Sequence, residues 1–195
     1  MNLSNYNNWF KGIEPAGLKG LENGLVQVYT GNGKGKTTAA IGQMVRAAGH
    51  GLKSVIIQFL KGGTYTGEFK AITEQLSLIK IVQTGRPFFV NKEKIPQKDI
   101  DLNREGFEEA VKIATGESDV SILVLDEINV AINLGIIPLE DVLSLIGKKR
   151  GDLELILTGR NAPEKLIEAA DLVTEMKDVK HYFSKNVPSR TGIEK

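Results

Sequence analysis

The run Val28-Tyr-Thr-Gly-Asn-Gly-Lys-Gly-Lys-Thr-Thr38 constrains this chain more than any other stretch. Its glycines, Gly31, Gly33 and Gly35, admit backbone angles closed to other residues and let main-chain N–H groups turn onto anionic oxygens. Lys36 is placed to reach phosphate oxygens and Thr37 to ligate a magnesium ion, with the positive end of a helix beneath them. In the usual pattern, G-x-x-x-x-G-K-[ST], the first glycine falls at Thr30, so the match is incomplete. Context supports it: Gly24–Tyr29 reads as a strand and Ala39–Ala48 as a helix, the strand–loop–helix setting the motif requires. The competing reading is a flexible, basic glycine loop.

A chain of 195 residues accommodates one domain with a substantial core and a short arm. We assign residues 1–23 to an N-terminal arm, rich in Asn and Gly, and 24–195 to the α/β domain. Trp9 and Phe10 in the arm pack on the domain's own flank, or make the arm a lid or a dimer contact. Lys and Arg number 25 against 24 Asp and Glu, so bulk charge offers no reason to expect nucleic acid or an anionic membrane as partner. The absence of cysteine excludes disulfides, thiolate catalysis and cysteine-based zinc or iron–sulfur sites. Without a signal-peptide pattern or a long apolar run, the expected location is cytoplasmic.

Apolar runs of strand length occur at 54–60, 78–82, 119–127 and 153–158, the third of them ending in two carboxylates, with a last strand at 171–176. Helical patterns lie between them at 68–75, 99–115, 128–134, 139–146 and 163–170. Strands alternating with helices predict an α/β fold with a mostly parallel sheet of about six strands. In such sheets ligands bind at the carboxyl edge, which collects several candidate residues. Gln58 and Lys61 end one strand and could face a site, although a solvated lysine there is equally ordinary. Asp126 and Glu127 end another in the Walker B manner, where Asp126 can hold magnesium directly or through water. Arg160 follows a third and suits a phosphate clamp, or a surface ion pair. The loop 83–97 lacks periodicity and carries Arg86, Phe88 and Phe89, either packed over the sheet end or forming a platform for a large flat ligand. His181 has no neighbouring ligand residue in sequence and reads as structural.

Taken together, Thr30-Gly-Asn-Gly-Lys-Gly-Lys-Thr-Thr38, Gln58-Phe-Leu-Lys-Gly62, Val124-Leu-Asp-Glu127, Ile156-Leu-Thr-Gly-Arg160, Ala170-Asp-Leu-Val-Thr-Glu175, Val179-Lys-His181 and Gly192-Ile-Glu194 closely resemble the CobA/CobO/BtuR-type corrinoid adenosyltransferases. The resemblance implies a RecA-like P-loop NTPase fold, usually a homodimer, moving the 5′-deoxyadenosyl group of ATP onto cob(I)alamin or related corrinoids. It implies an ATP reversed relative to other P-loop proteins, its terminal phosphate where an α-phosphate normally sits. By the same resemblance Gly31, Asn32, Gly33, Lys34, Gly35, Lys36, Thr37 and Thr38 surround the triphosphate, Arg46 and Glu127 lie near the nucleoside end, Arg160 meets the phosphates and Thr37 meets Mg²⁺. A flavodoxin-type or flavin reductant would supply Co(I). The loop after Gly85 reads Arg-Pro-Phe-Phe where well-known members carry Phe-x-Trp, which makes Phe88 and Phe89 corrinoid-facing candidates by position, with Arg86 beside them. The rival expectations are a P-loop kinase or ATPase and a non-catalytic nucleotide or corrinoid carrier.

Overall fold

The computed structural model describes residues 20–63, 66–85 and 95–194. Six strands form one sheet: β1 (Val26–Thr30), β2 (Lys53–Phe59), β3 (Ile79–Thr84), β4 (Val120–Asp126), β5 (Glu154–Thr158) and β6 (Leu172–Glu175). Their order is β3-β2-β4-β5-β1-β6, and every pairing is parallel. The helices between them are α1 (Lys36–Ala48), α2 (Gly67–Gln75), α3 (Gln97–Thr115), α4 (Ile128–Asn133), α5 (Leu139–Lys148) and α6 (Glu164–Glu168). This is the expected α/β architecture of a RecA-like P-loop protein. Among the described residues no helix is long and apolar enough to cross a membrane.

Two cores follow from the two-residue period of the strands. Val55, Ile57 and Phe59 of β2, Leu123 and Leu125 of β4, and Leu155 and Leu157 of β5 face one side. There they meet Phe107, Ala110, Ile113 and Ala114 of α3, together with residues of α4, α5 and α6. The alternate positions, Ile56, Ile122, Val124 and Ile156, face Ala40, Met44 and Ala47 of α1 and Ile72 of α2. Small residues on α1 let that helix lie close to the strands, and Met44 fills the space between them with no exposed surface.

The same period decides which polar side chains share a face. Gln58, Asp126 and Thr158 continue the Ile56, Val124 and Ile156 rows toward the carboxyl edge, on the α1 side. Gln58 stands beside Asp126 in register, and Leu125 beside Leu157 brings Thr158 alongside as well. All three are fully buried. The helix of the phosphate loop begins at Lys36 rather than at Ala39, because Gly35, at φ 129°, ends the loop there. Lys36 and Thr37 therefore occupy the first helical turn.

Candidate functional site

At the carboxyl edge lies a cleft of about 510 Å³. Its walls come from the phosphate loop (Asn32 to Thr38), from Ile41 on α1, from Lys61, Gly67 and Glu68 after β2, and from Glu127 and Arg160 after β4 and β5. His181, Gly192, Ile193 and Glu194 complete it from the segment beyond β6.

The loop is shaped as much by what lies behind it as by what it would hold. Gly33 donates its N–H to the Met176 carbonyl at 2.7 Å. A Cβ on Gly31 would stand 2.5 Å from the Met176 oxygen, and one on Gly33 would stand 2.7 Å from the Lys177 oxygen. The backbone leaving β6 thus passes directly against the loop, which only glycine at these positions admits. Thr30, where the usual motif has glycine, remains in β1, and its hydroxyl accepts the Ala162 N–H at 3.1 Å. Lys36 folds over the loop and donates to the carbonyls of Gly31 (2.7 Å) and Gly33 (2.8 Å). An ammonium has three donors, so one remains for an anion. Burial lowers the Lys36 pKa, against the attraction of Glu127.

Beneath the loop Asp126 accepts four hydrogen bonds. Thr37 and Thr158 donate to Oδ1 at 2.8 and 2.7 Å, and Gln58 and Lys61 to Oδ2 at 3.0 and 2.8 Å. With both oxygens engaged and no exposed surface, Asp126 is built to hold Thr37 rather than to reach the cleft itself. Direct coordination of Mg²⁺ by Asp126 would have to displace one of these four donors. The Thr37 hydroxyl donates its hydrogen bond to Asp126, so its oxygen lone pairs remain free to ligate Mg²⁺. Among the described residues no group of three His, Cys, Asp or Glu could hold a metal ion.

Burial disfavours the Lys61 ammonium, but the Asp126 charge and hydrogen bond, with Glu127 and Glu68 beyond, raise its pKa overall. Glu127 takes a left-handed conformation at φ 64°, uncommon outside glycine and a mark of backbone held in place by its surroundings. Its N–H is fixed by the Thr158 hydroxyl at 3.0 Å. Burial and the neighbouring Asp126 raise the Glu127 pKa, opposed by Lys61, Lys36 and Arg160. Arg160 is exposed on the rim, its backbone carbonyl accepting from Asn133 at 3.3 Å.

The family model described as ATP:corrinoid adenosyltransferase BtuR/CobO/CobP matches residues 22–194. The chain belongs to this family. A corrinoid adenosyltransferase of Pseudomonas aeruginosa is 37% identical over 176 residues, 89% of this chain and 84% of that protein. One from Escherichia coli K12 is 34% identical over 173 residues, 89% and 86% of the two chains. The corrinoid adenosyltransferase CobA of Salmonella typhimurium is 33% identical over 174 residues, again 89% and 86%.

In this adenosyltransferase the cleft gathers Asn32, Gly33, Lys34, Gly35, Lys36, Thr37, Thr38, Glu127 and Arg160, while Gly31 supports the loop from behind. Arg46 does not line the cleft. It lies in the last turn of α1, exposed and bonded to Gln43 at 3.2 Å, ten residues and thus roughly 15 Å along the helix from Lys36. Arg86, Phe88 and Phe89 lie outside the described residues, as do Trp9 and Phe10 of the arm. Sequence reasoning gave Lys61 no preference over a solvated lysine and read His181 as structural, yet both line the cleft. The usable signals were the Gln58-Phe-Leu-Lys-Gly62, Val179-Lys-His181 and Gly192-Ile-Glu194 motifs, whose residues local patterning leaves unexplained.

Proposed function

We propose that this enzyme binds ATP with its triphosphate in the Gly31–Thr38 loop and transfers the 5′-deoxyadenosyl group to a cob(I)alamin- or cob(I)inamide-type corrinoid, releasing inorganic triphosphate. The observation that carries the reading is the convergence of Lys36, Thr37 and Arg160 on one cleft in a chain of this family. Co(I) is itself a strong nucleophile. Its electron pair forms the Co–C5′ bond, and the C5′–O bond breaks with its pair on the departing triphosphate. The protein's part is then alignment and stabilisation of that leaving group.

Loop amides, the free donor of Lys36 and the Arg160 guanidinium meet the charge developing on the triphosphate. Thr37, oriented by Asp126, would hold Mg²⁺, which when bound neutralises phosphate charge. Lys61 keeps the buried Asp126 carboxylate compensated. Glu127 is assigned to the nucleoside end, as the resemblance implies for Arg46 as well, although Arg46 stands outside the cleft, about 15 Å along α1 from Lys36. Phe88 and Phe89, with Arg86 beside them, are assigned to the corrinoid side. The reading includes a homodimer, checked by light scattering, a cytoplasmic location, and a flavodoxin-type or flavin reductant for Co(II).

The experiment mixes the protein, MgATP and chemically reduced cob(I)alamin without oxygen and analyses both products. Adenosylcobalamin and inorganic triphosphate in equal amounts support the proposal. ADP or recovered ATP without a Co–C bond overturns it in favour of a kinase, an ATPase or a carrier.

A further inference from the structure

The segment beyond β6 enters the cleft from a closure of its own. Glu194 accepts the Arg190 backbone N–H at 2.8 Å and its side chain through Nη2 at 2.9 Å and Nε at 3.2 Å. The Tyr182 hydroxyl donates to the same carboxylate, and the Arg190 guanidinium lies 4.8 Å from the centre of the Tyr182 ring. These hydrogen bonds, from Arg190 first and Tyr182 second, hold the Glu194 carboxyl down to about 2. The loop 182–194 is thereby tied at its base.

What the tie presents to the cleft is chemically distinct from the rest of the wall. The rest of the wall is polar, with the amides and hydroxyls of the phosphate loop, the cations of Lys36, Lys61 and Arg160, and the carboxylates of Glu68 and Glu127. Ile193, 56% exposed, and Ile41 of α1 are the two large apolar side chains among the described lining residues. His181 joins them, its ring tilted 58° against Tyr182 at 4.8 Å between centroids. Two isoleucines and an imidazole lining one cleft suit a flat heteroaromatic ring, and the isoleucines offer nothing to a phosphate.

We propose that Ile193 and His181, with Ile41, form the wall that contacts the purine base, and that Glu194, closed on Arg190 and Tyr182, is the positioning residue that holds this wall in place. The inference rests on the ATP-binding reading above. It assigns base recognition to the segment beyond β6 and leaves phosphate recognition to the loop after β1.

The test titrates the full chain calorimetrically with MgATP and, separately, with magnesium tripolyphosphate, in the absence of corrinoid. Ile193→Asp, His181→Ala and Glu194→Gln are expected to weaken MgATP binding about tenfold while tripolyphosphate binding stays within about twofold. Arg160→Ala should weaken both ligands. The exchanged pair Arg190→Glu with Glu194→Arg should regain MgATP affinity relative to either single change. Equal loss of both ligands, which a general distortion would produce, overturns the proposal, and so does wild-type MgATP affinity in the Ile193 and Glu194 variants. Thermal unfolding confirms that each variant is folded. If the wild-type protein binds MgATP but forms no Co–C bond with cob(I)alamin, the adenosyltransferase reading fails while the titrations still decide the base wall.

Discussion

At the residue scale, three side chains around the phosphate loop carry separable predictions. Lys36 is both a loop brace and an anion donor, so Lys36→Ala should reduce kcat by about 10²- to 10³-fold, the loss associated with one transition-state donor. Single-turnover rates with preformed cob(I)alamin measure it. Lys61 compensates Asp126, which has no contact with water. Lys61→Met leaves that carboxylate buried beside only neutral donors and should cost about 2–3 kcal/mol in urea unfolding. The value is moderate because the Lys61 side chain is 29% exposed. Glu127 titrates in the opposite sense to a salt-bridged acid. Its folded pKa lies above the ordinary 4.5, so the native state binds the extra proton and stability falls as pH rises from about 4.5 through the folded value. Glu127→Gln should therefore raise the thermal midpoint near neutral pH, and the gain should vanish below about pH 4.5, as differential scanning calorimetry across that range would record.

At the element scale, α1 carries the loop's first turn at one end and packs through Ala40, Met44 and Ala47 against the sheet. Met44→Ala should lower stability by about 2–4 kcal/mol, read by chemical unfolding, because the close helix–sheet approach leaves little room to collapse around the cavity. The strands and helices were legible because each apolar run has the length and period of one element. Alternation along β2, β4 and β5 even places Gln58, Asp126 and Thr158 on a common face. What alternation does not contain is register: that Gln58 stands beside Asp126, and that Thr158 donates to the same carboxylate, depends on how three separate strands slide against one another. The Walker B expectation therefore found Asp126 but not its four donors. Element ends were also approximate, since α1 starts at Lys36 where Gly35 turns the chain, and β3 extends to Thr84.

At the scale of the whole molecule, the site is assembled from segments far apart in sequence. His181 and Ile193 reach the loop after β1 only because β6 pairs with β1, a relation no local pattern predicts. Gly31 and Gly33 tell a similar story. Their sequence signature speaks of phosphate, while their tightest neighbours are the backbone of Met176 and Lys177. Bound nucleotide should add stability by mass action, about 2.7 kcal/mol at a hundredfold excess over Kd. A rise in thermal midpoint with MgATP concentration checks this, and Lys36→Ala should blunt it.

The placement of β1 between β5 and β6 also sets an order of events during synthesis. Val26 pairs with Leu155 and Gln27 with Leu172, so the first of the six described strands to be synthesised waits for the last two of them. Until the stretch after β6 arrives, the glycine loop has no backbone to lean on and Gly33 no acceptor. Nucleotide capture is thereby a property acquired only once the stretch after β6 has been made, and β1 amides should be among the last protected from exchange when the protein refolds.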